Sequence, residues 1–173
     1  MSVLSCAFTG HRPARFDFGY NENDEKCLQI KALMRERISG LIADGVTDFY
    51  SGMALGADQW AADIVLELRK THQGIRLIAV LPCLTQANNW TLEQRERYFD
   101  TLAECDEVVM VRKIYTRACM FERNRYLVDH AEYLIAVYDG SSRSGTAYTV
   151  KYGKQEKRRI TIINPDTLAV TSE

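Results

Sequence analysis

At 173 residues, with 46% hydrophobic and 26% charged side chains, the chain is long enough for one well-packed domain and too short for two. Twenty-two Lys and Arg against 23 Asp and Glu leave a net charge of −1. That balance excludes a general attraction to nucleic acid or to anionic membranes, and only a local basic patch could supply one.

Met1 to Cys6 lacks a basic segment followed by a long apolar stretch, so it reads as the head of a first strand and not as a signal peptide. Val3 to Thr9 is the first predicted strand, short, apolar and closed by a Gly-Pro loop. The loop from Gly10 to Asn23 mixes aromatic and polar residues and is longer than a bare connection requires. A helix is expected from about Asp24 to Asp44. Cys27, Ile30, Met34, Ile38 and Leu41 recur at helical spacing, and Gly45 supplies the stop. Thr47 to Ser51 is a second strand, running into Gly52. The helix after it carries Ala57, Trp60, Ala61, Ile64, Val65 and Leu68 on one face and ends near Arg69 and Lys70.

Arg76 to Leu81 is nearly continuous in apolar residues, as expected of a strand covered on both faces. Beyond Pro82, Thr91 with Gln94 forms a capping-box pattern before a helix bearing Leu92, Tyr98, Phe99 and Leu102. Four further elements follow: a strand over Glu107–Val111, a helix over Cys119–Ala131, a strand over Tyr133–Tyr138 and a helix over Gly145–Lys157. A sixth strand, Arg159–Ile163, ends at Asn164-Pro165-Asp166, which turns the chain into a short tail. Alternating strands and helices predict a single doubly wound Rossmann-like α/β domain. Its sheet is mostly parallel, of six or seven strands, with helices on both faces. Ligands of such sheets bind at the C-terminal strand ends, near the point where strand order reverses.

Three glycine turns fall at that edge. Thr9-Gly10-His11-Arg12-Pro13 offers a cation and an imidazole to an anion or a base edge. Ser51-Gly52-Met53-Ala54-Leu55-Gly56-Ala57-Asp58 is neither a dinucleotide fingerprint nor a Walker loop. It still sets two glycines, a hydroxyl and a helix start in one turn, as phosphate cradling requires; a tight strand-to-helix junction explains it equally well. Asp58 could cap its helix or accept from a ribose hydroxyl. Asp139-Gly140-Ser141-Ser142-Arg143-Ser144-Gly145-Thr146 gathers hydroxyls, an arginine and two glycines before a helix, which favours a phosphate over a polar loop capped by Ser144. Trp90 lies at the same edge, to stack on a base or to plug the core. Arg123 and Asn124 open a helix facing that edge. His72 and His130 read as structural, and the basic residues between Lys151 and Arg159 as a solvated face.

The five cysteines, Cys6, Cys27, Cys83, Cys105 and Cys119, are scattered, form no CxxC pair and have no histidine at metal-ligand spacing. They are expected to be reduced thiols of a cytoplasmic protein without a metal.

Ser51 to Asp58 resembles the Ser-Gly-x-Ala-x-Gly-x-Asp signature of the DNA-processing protein DprA (Smf), and Ser144-Gly145-Thr146 resembles the Gly-Thr turn of the LOG phosphoribohydrolases. With the early Thr-Gly turn and the segment from Pro82 to Trp90, the whole chain is similar to the YpsA-like branch of the SLOG superfamily. The resemblance implies a pocket for a nucleotide or an ADP-ribose- or NAD-like derivative, formed by Thr9, Gly10, Arg12, Ser51, Gly52, Gly56, Asp58, Gly140, Ser144, Gly145 and Thr146. It also implies a bacterial or phage cytosolic protein and leaves room for a homo-oligomer. LOG enzymes carry Gly-Thr-x-x-Glu, whereas Thr149 stands in the Glu position here, so cleavage by their mechanism is not expected.

A sensor or regulatory module binding a nucleotide derivative is the first expectation, with Thr9, Gly10, His11, Arg12, Ser51, Gly52, Met53, Gly56, Asp58, Trp90, Arg123, Asn124, Asp139, Gly140, Arg143, Ser144, Gly145 and Thr146 at the site and no catalytic residue assigned. The alternatives are a nucleotide hydrolase using Asp58, Asp139 or His11, and a DprA-like binder of single-stranded nucleic acid. The near-neutral charge argues against the latter.

Overall fold

Central strands buried on both faces set the layers of this protein. The computed structural model describes residues 3–173; Met1 and Ser2, placed by the sequence at the head of the first strand, lie outside the described residues. In chain order the elements are β1 (Leu4–Gly10), a 3-10 turn (Pro13–Arg15), α1 (Glu25–Ala43), β2 (Val46–Ser51), α2 (Ala57–Arg69), β3 (Arg76–Leu81) and α3 (Leu92–Glu104). They continue with β4 (Glu107–Met110), α4 (Cys119–Asp129), β5 (Tyr133–Val137), α5 (Gly145–Gln155), β6 (Arg159–Ile163) and β7 (Val170–Ser172).

The strands form one sheet in the order β4-β3-β2-β1-β5-β6-β7, with every pair parallel except β6 with β7. From β1 the chain winds outward to β4, then returns across the sheet to β5 and winds the other way. Right-handed crossovers therefore lay α1, α2 and α3 on one face and α4 and α5 on the other. The core divides in the same way. Cys6, Phe8, Leu77, Ala79, Leu81, Ile135 and Val137 pack with α1 to α3. Ala7, Ile78, Val80 and Leu134, offset by one residue, pack with Leu127 of α4.

Local signals act where the sequence places them. Asp24 caps α1 through Lys26, Thr91 and Gln94 close a capping box on α3, and Ser144 Oγ accepts from the Ala147 amide at 2.9 Å. The long loop after β1 is packed: Phe16 and Phe18 stack on each other at 5.0 Å between centroids, and Phe16 lies 5.4 Å from Trp60. The tail departs from expectation. Asn164 Oδ1 accepts from the Asp166 and Thr167 amides, Leu168 takes a left-handed φ of 61°, and the chain folds back as β7 on β6. All five cysteines are free thiols, and burial pushes the thiols of Cys27 and Cys105 up to about 11. No helix among the described residues is long and apolar enough to cross a membrane.

Candidate functional site

Strand order reverses between β1 and β5, and a cleft of 290 Å³ opens at their C-terminal ends. Thr9, Gly10, His11 and Arg12 enter it from β1, Arg123 and Asn124 from α4, and Ser144, Gly145 and Thr146 from the start of α5. Ala54 and Asp58 close its floor.

The α5 start is the open donor surface. Ser144 satisfies the Ala147 N–H, which leaves the Gly145 and Thr146 amides as first-turn donors without an intrahelical partner. The Ser144 hydroxyl hydrogen remains available, since its oxygen only accepts in the cap. A Cβ built on Gly145 would meet only Asn124 Nδ2, at 3.8 Å, so this backbone stands clear of the protein.

Beneath the cleft lies a buried ionic floor. Arg123 is 4% exposed and donates from Nη1 to the Gly52 carbonyl at 2.5 Å and from Nε to Asn124 Oδ1 at 2.8 Å. Burial pulls its pKa down, and nearby Asp58 opposes that shift. Burial raises the Asp58 carboxyl above its usual range, against the pull of Arg123 and the Ala54 amide.

His11 and Asp139 meet behind the β1 turn. His11 Nε2 lies 2.9 Å from Asp139 Oδ1, and Arg15 holds the other oxygen at 2.9 to 3.0 Å. Burial alone would raise the Asp139 carboxyl. Hydrogen bonds from the Ser141 amide, His11 and Arg15 outweigh it and hold the group well below the usual range. The imidazole is 4% exposed with one nitrogen engaged, an arrangement that fixes the loops more than it offers a free base.

The remaining predicted residues stand outside the cleft wall. Ser51 is fully buried; its Oγ donates to the Asp58 carbonyl at 2.9 Å and accepts from the Met53 amide at 3.1 Å. Met53 is a core side chain with φ 57°. Gly52 lies against the Arg123 and Asp58 side chains and Gly56 against the His11–Pro13 turn, and Gly140 and Arg143 occupy the exposed part of the β5–α5 loop. Trp90 packs edge-on against Tyr98 at 5.2 Å and borders a neighbouring groove. Thr149 is fully buried and donates to the Gly145 carbonyl at 2.8 Å, so it adds nothing to the cleft.

Sequence reasoning missed Arg15, Met120 and Leu127 on the wall. A signal existed for Arg15: it stands three residues after Arg12 across a 3-10 turn, a spacing that puts two side chains on one side. Among the described residues no group of three or more His, Cys, Asp or Glu could hold a metal ion.

The model described as the YspA SLOG family matches residues 6–168. The UPF0398 protein of Bacillus pumilus (strain SAFR-032) is 32% identical over 148 residues, 84% of this chain and 78% of that protein. UPF0398 protein YpsA of Bacillus subtilis (strain 168) is 29% identical over the whole chain and 98% of its own length. Among solved structures, DNA processing protein A of Streptococcus pneumoniae superposes with a TM-score of 0.63 at 16% identity, over 96% of this chain and 52% of that one. The Helicobacter pylori protein, described for its single-stranded DNA binding mode, gives 0.61 at 15% identity over 93% of this chain and 65% of that one. The chain thus spans about half to two thirds of those two proteins, and the likeness is one of fold.

Proposed function

This chain belongs to the YspA SLOG family, and from that premise we propose that it binds a nucleotide or a nucleotide derivative of the ADP-ribose or NAD kind, as a cytoplasmic sensor or regulatory module. The observation that carries the reading is the shared cleft. Amides of Gly145 and Thr146, the Ser144 hydroxyl and the Arg12 guanidinium converge from two separate crossovers above the buried Arg123. Helix-start amides with a nearby guanidinium suit phosphate oxygens. A binding role is preferred to hydrolysis because His11 is buried against Asp139 and Thr149 is tied to its own helix.

Calorimetry against ATP, NAD, ADP-ribose and nucleoside monophosphates tests the proposal. Binding of at least one is expected, weakened about tenfold or more by Gly145→Val, whose side chain fills the cleft. Silence from every ligand at millimolar concentration overturns it.

A second reading is supported by the Helicobacter pylori neighbour: a single strand of DNA lying along the same sheet edge. The net charge of −1 weighs against it. A low-salt gel shift with oligothymidylate decides, and the absence of any complex removes this reading.

A further inference from the structure

A second groove, of 530 Å³, adjoins the cleft, and Arg12 and Met120 line both. Beyond them it is bordered by Trp90, Tyr115 and the amide side chains of Gln86, Asn88 and Asn89. We infer that this groove is the nucleobase subsite of a free nucleotide whose phosphates occupy the cleft, a deduction that rests on the phosphate reading above.

Trp90 is half-buried and braced, with its ring edge-on to Tyr98 and its backbone N–H donating to the Ala87 carbonyl at 3.1 Å. Such an indole is held in place before any ligand arrives, so stacking on it orders little that was free. Tyr115 is the opposite case, a large ring 59% exposed on the loop between β4 and α4. Backbone bonds from Val111 to Leu81, Arg112 to Pro82 and Leu84 to Lys113 carry that loop alongside the segment leading to Trp90. The two rings border one groove, and a flat heteroaromatic base between them would cover the Tyr115 ring.

The polar rim fits the same occupant. Primary amides both donate and accept, which matches the mixed edge of a base better than it matches an anion. Gln86 is already engaged with the Gly52 carbonyl and Arg123, and so ties the groove to the ionic floor; Asn88 and Asn89 are exposed. Arg12, exposed between the two cavities, stands where the sugar-linked phosphate of a nucleotide would pass from one to the other. Both volumes are of the order of known small-molecule sites, roughly 300 to 1,000 Å³.

Four probes test this on the full chain: ADP, pyrophosphate, adenosine and oligothymidylate. Trp60 is buried in the core, so emission changes report on Trp90. ADP is expected to bind at least tenfold tighter than pyrophosphate and to quench Trp90, which pyrophosphate does not. Tyr115→Ala and Trp90→Leu should each weaken ADP about tenfold and leave pyrophosphate unchanged, since one lost base stack is worth that much. Tyr115 is a surface side chain, so its variant serves if Trp90→Leu unfolds.

Equal affinities for ADP and pyrophosphate, or ADP binding indifferent to both substitutions, overturn the base subsite and leave the phosphate reading standing. If neither ADP nor pyrophosphate binds, adenosine decides the groove alone, and the phosphate reading stands or falls on the calorimetry above. Quenching by adenosine that Tyr115→Ala abolishes keeps it, and silence ends it. Oligothymidylate binding tighter than ADP, through the same rings, overturns a free nucleotide as the occupant.

Discussion

The Ser51–Asp58 turn and the Ser141–Thr146 turn carry the same ingredients, hydroxyls and glycines ahead of a helix, and the fold uses them oppositely. In the first, both Ser51 contacts are internal, and Gly52 lies so near Arg123 that a Cβ would come within 2.3 Å of its Nη1 and 2.8 Å of Asp58 Oδ2. Gly56 has φ +92° and would drive a Cβ to 2.8 Å from the His11 carbonyl. In the second, Gly145 faces open space and Ser144 keeps a hydroxyl hydrogen free. Glycine in one turn lets protein segments approach each other; in the other it leaves the backbone open to the cleft. Composition cannot separate these uses, because both require the missing Cβ.

The largest effect that distinguishes them is on stability. Gly52→Ala should destabilise by about 3 kcal/mol, since the methyl forces the buried Arg123 guanidinium off the Gly52 carbonyl and away from Asp58. Gly145→Ala should stay within about 0.5 kcal/mol, as expected where a new side chain meets open space. Urea denaturation of the two variants measures the contrast, and equal losses would break it.

Next in size is the carboxylate that joins the β1 turn to the β5–α5 loop. Asp139 has a depressed pKa in the folded state, so its contribution is present above the unfolded value near 4 and drains away as pH falls through the folded one. Asp139→Asn should cost about 2 kcal/mol at pH 7, the loss of charge-assisted bonds to His11 and Arg15. The gap between variant and parent should narrow steadily below about pH 5. A gap that stays constant down to pH 2, followed by urea midpoints, would show that the charge is not what ties these loops.

Much of this was legible in the chain. Short or continuous apolar runs such as Val3–Thr9 and Arg76–Leu81 exposed the strands, and Asp24, Thr91 and Ser144 marked helix starts, because those signals are local. Residues that line the cleft were legible where they lie beside a glycine turn, as Arg12 and Thr146 do. What was illegible were the pairings of remote residues, even where the residue itself, as Arg123, was expected at the edge. Arg15 meets Asp139 across 124 residues, and Arg123 reaches the Gly52 carbonyl across 71. Strand β7 was missed because its pairing is set by the Asn164 turn and not by apolar content.

The smallest effect is the sharpest test of the two hydroxyls. Ser51→Ala removes one accepted and one donated bond in a fully buried site, so it should lower stability by about 1 to 2 kcal/mol. Any change in ligand affinity would come only through that loss, because Ser51 does not reach the cleft. Ser144→Ala loses an N-cap, also about 1 kcal/mol, and here the hydroxyl is both cap and wall. Ser144→Ala should therefore weaken phosphate-bearing ligands by severalfold, whereas Ser144→Gly, which caps through its backbone nearly as well, should recover most of the stability and none of the affinity. Affinity that returns together with stability in the glycine variant would mean that the Ser144 oxygen serves the helix alone, and that the two turns are more alike than their geometry indicates.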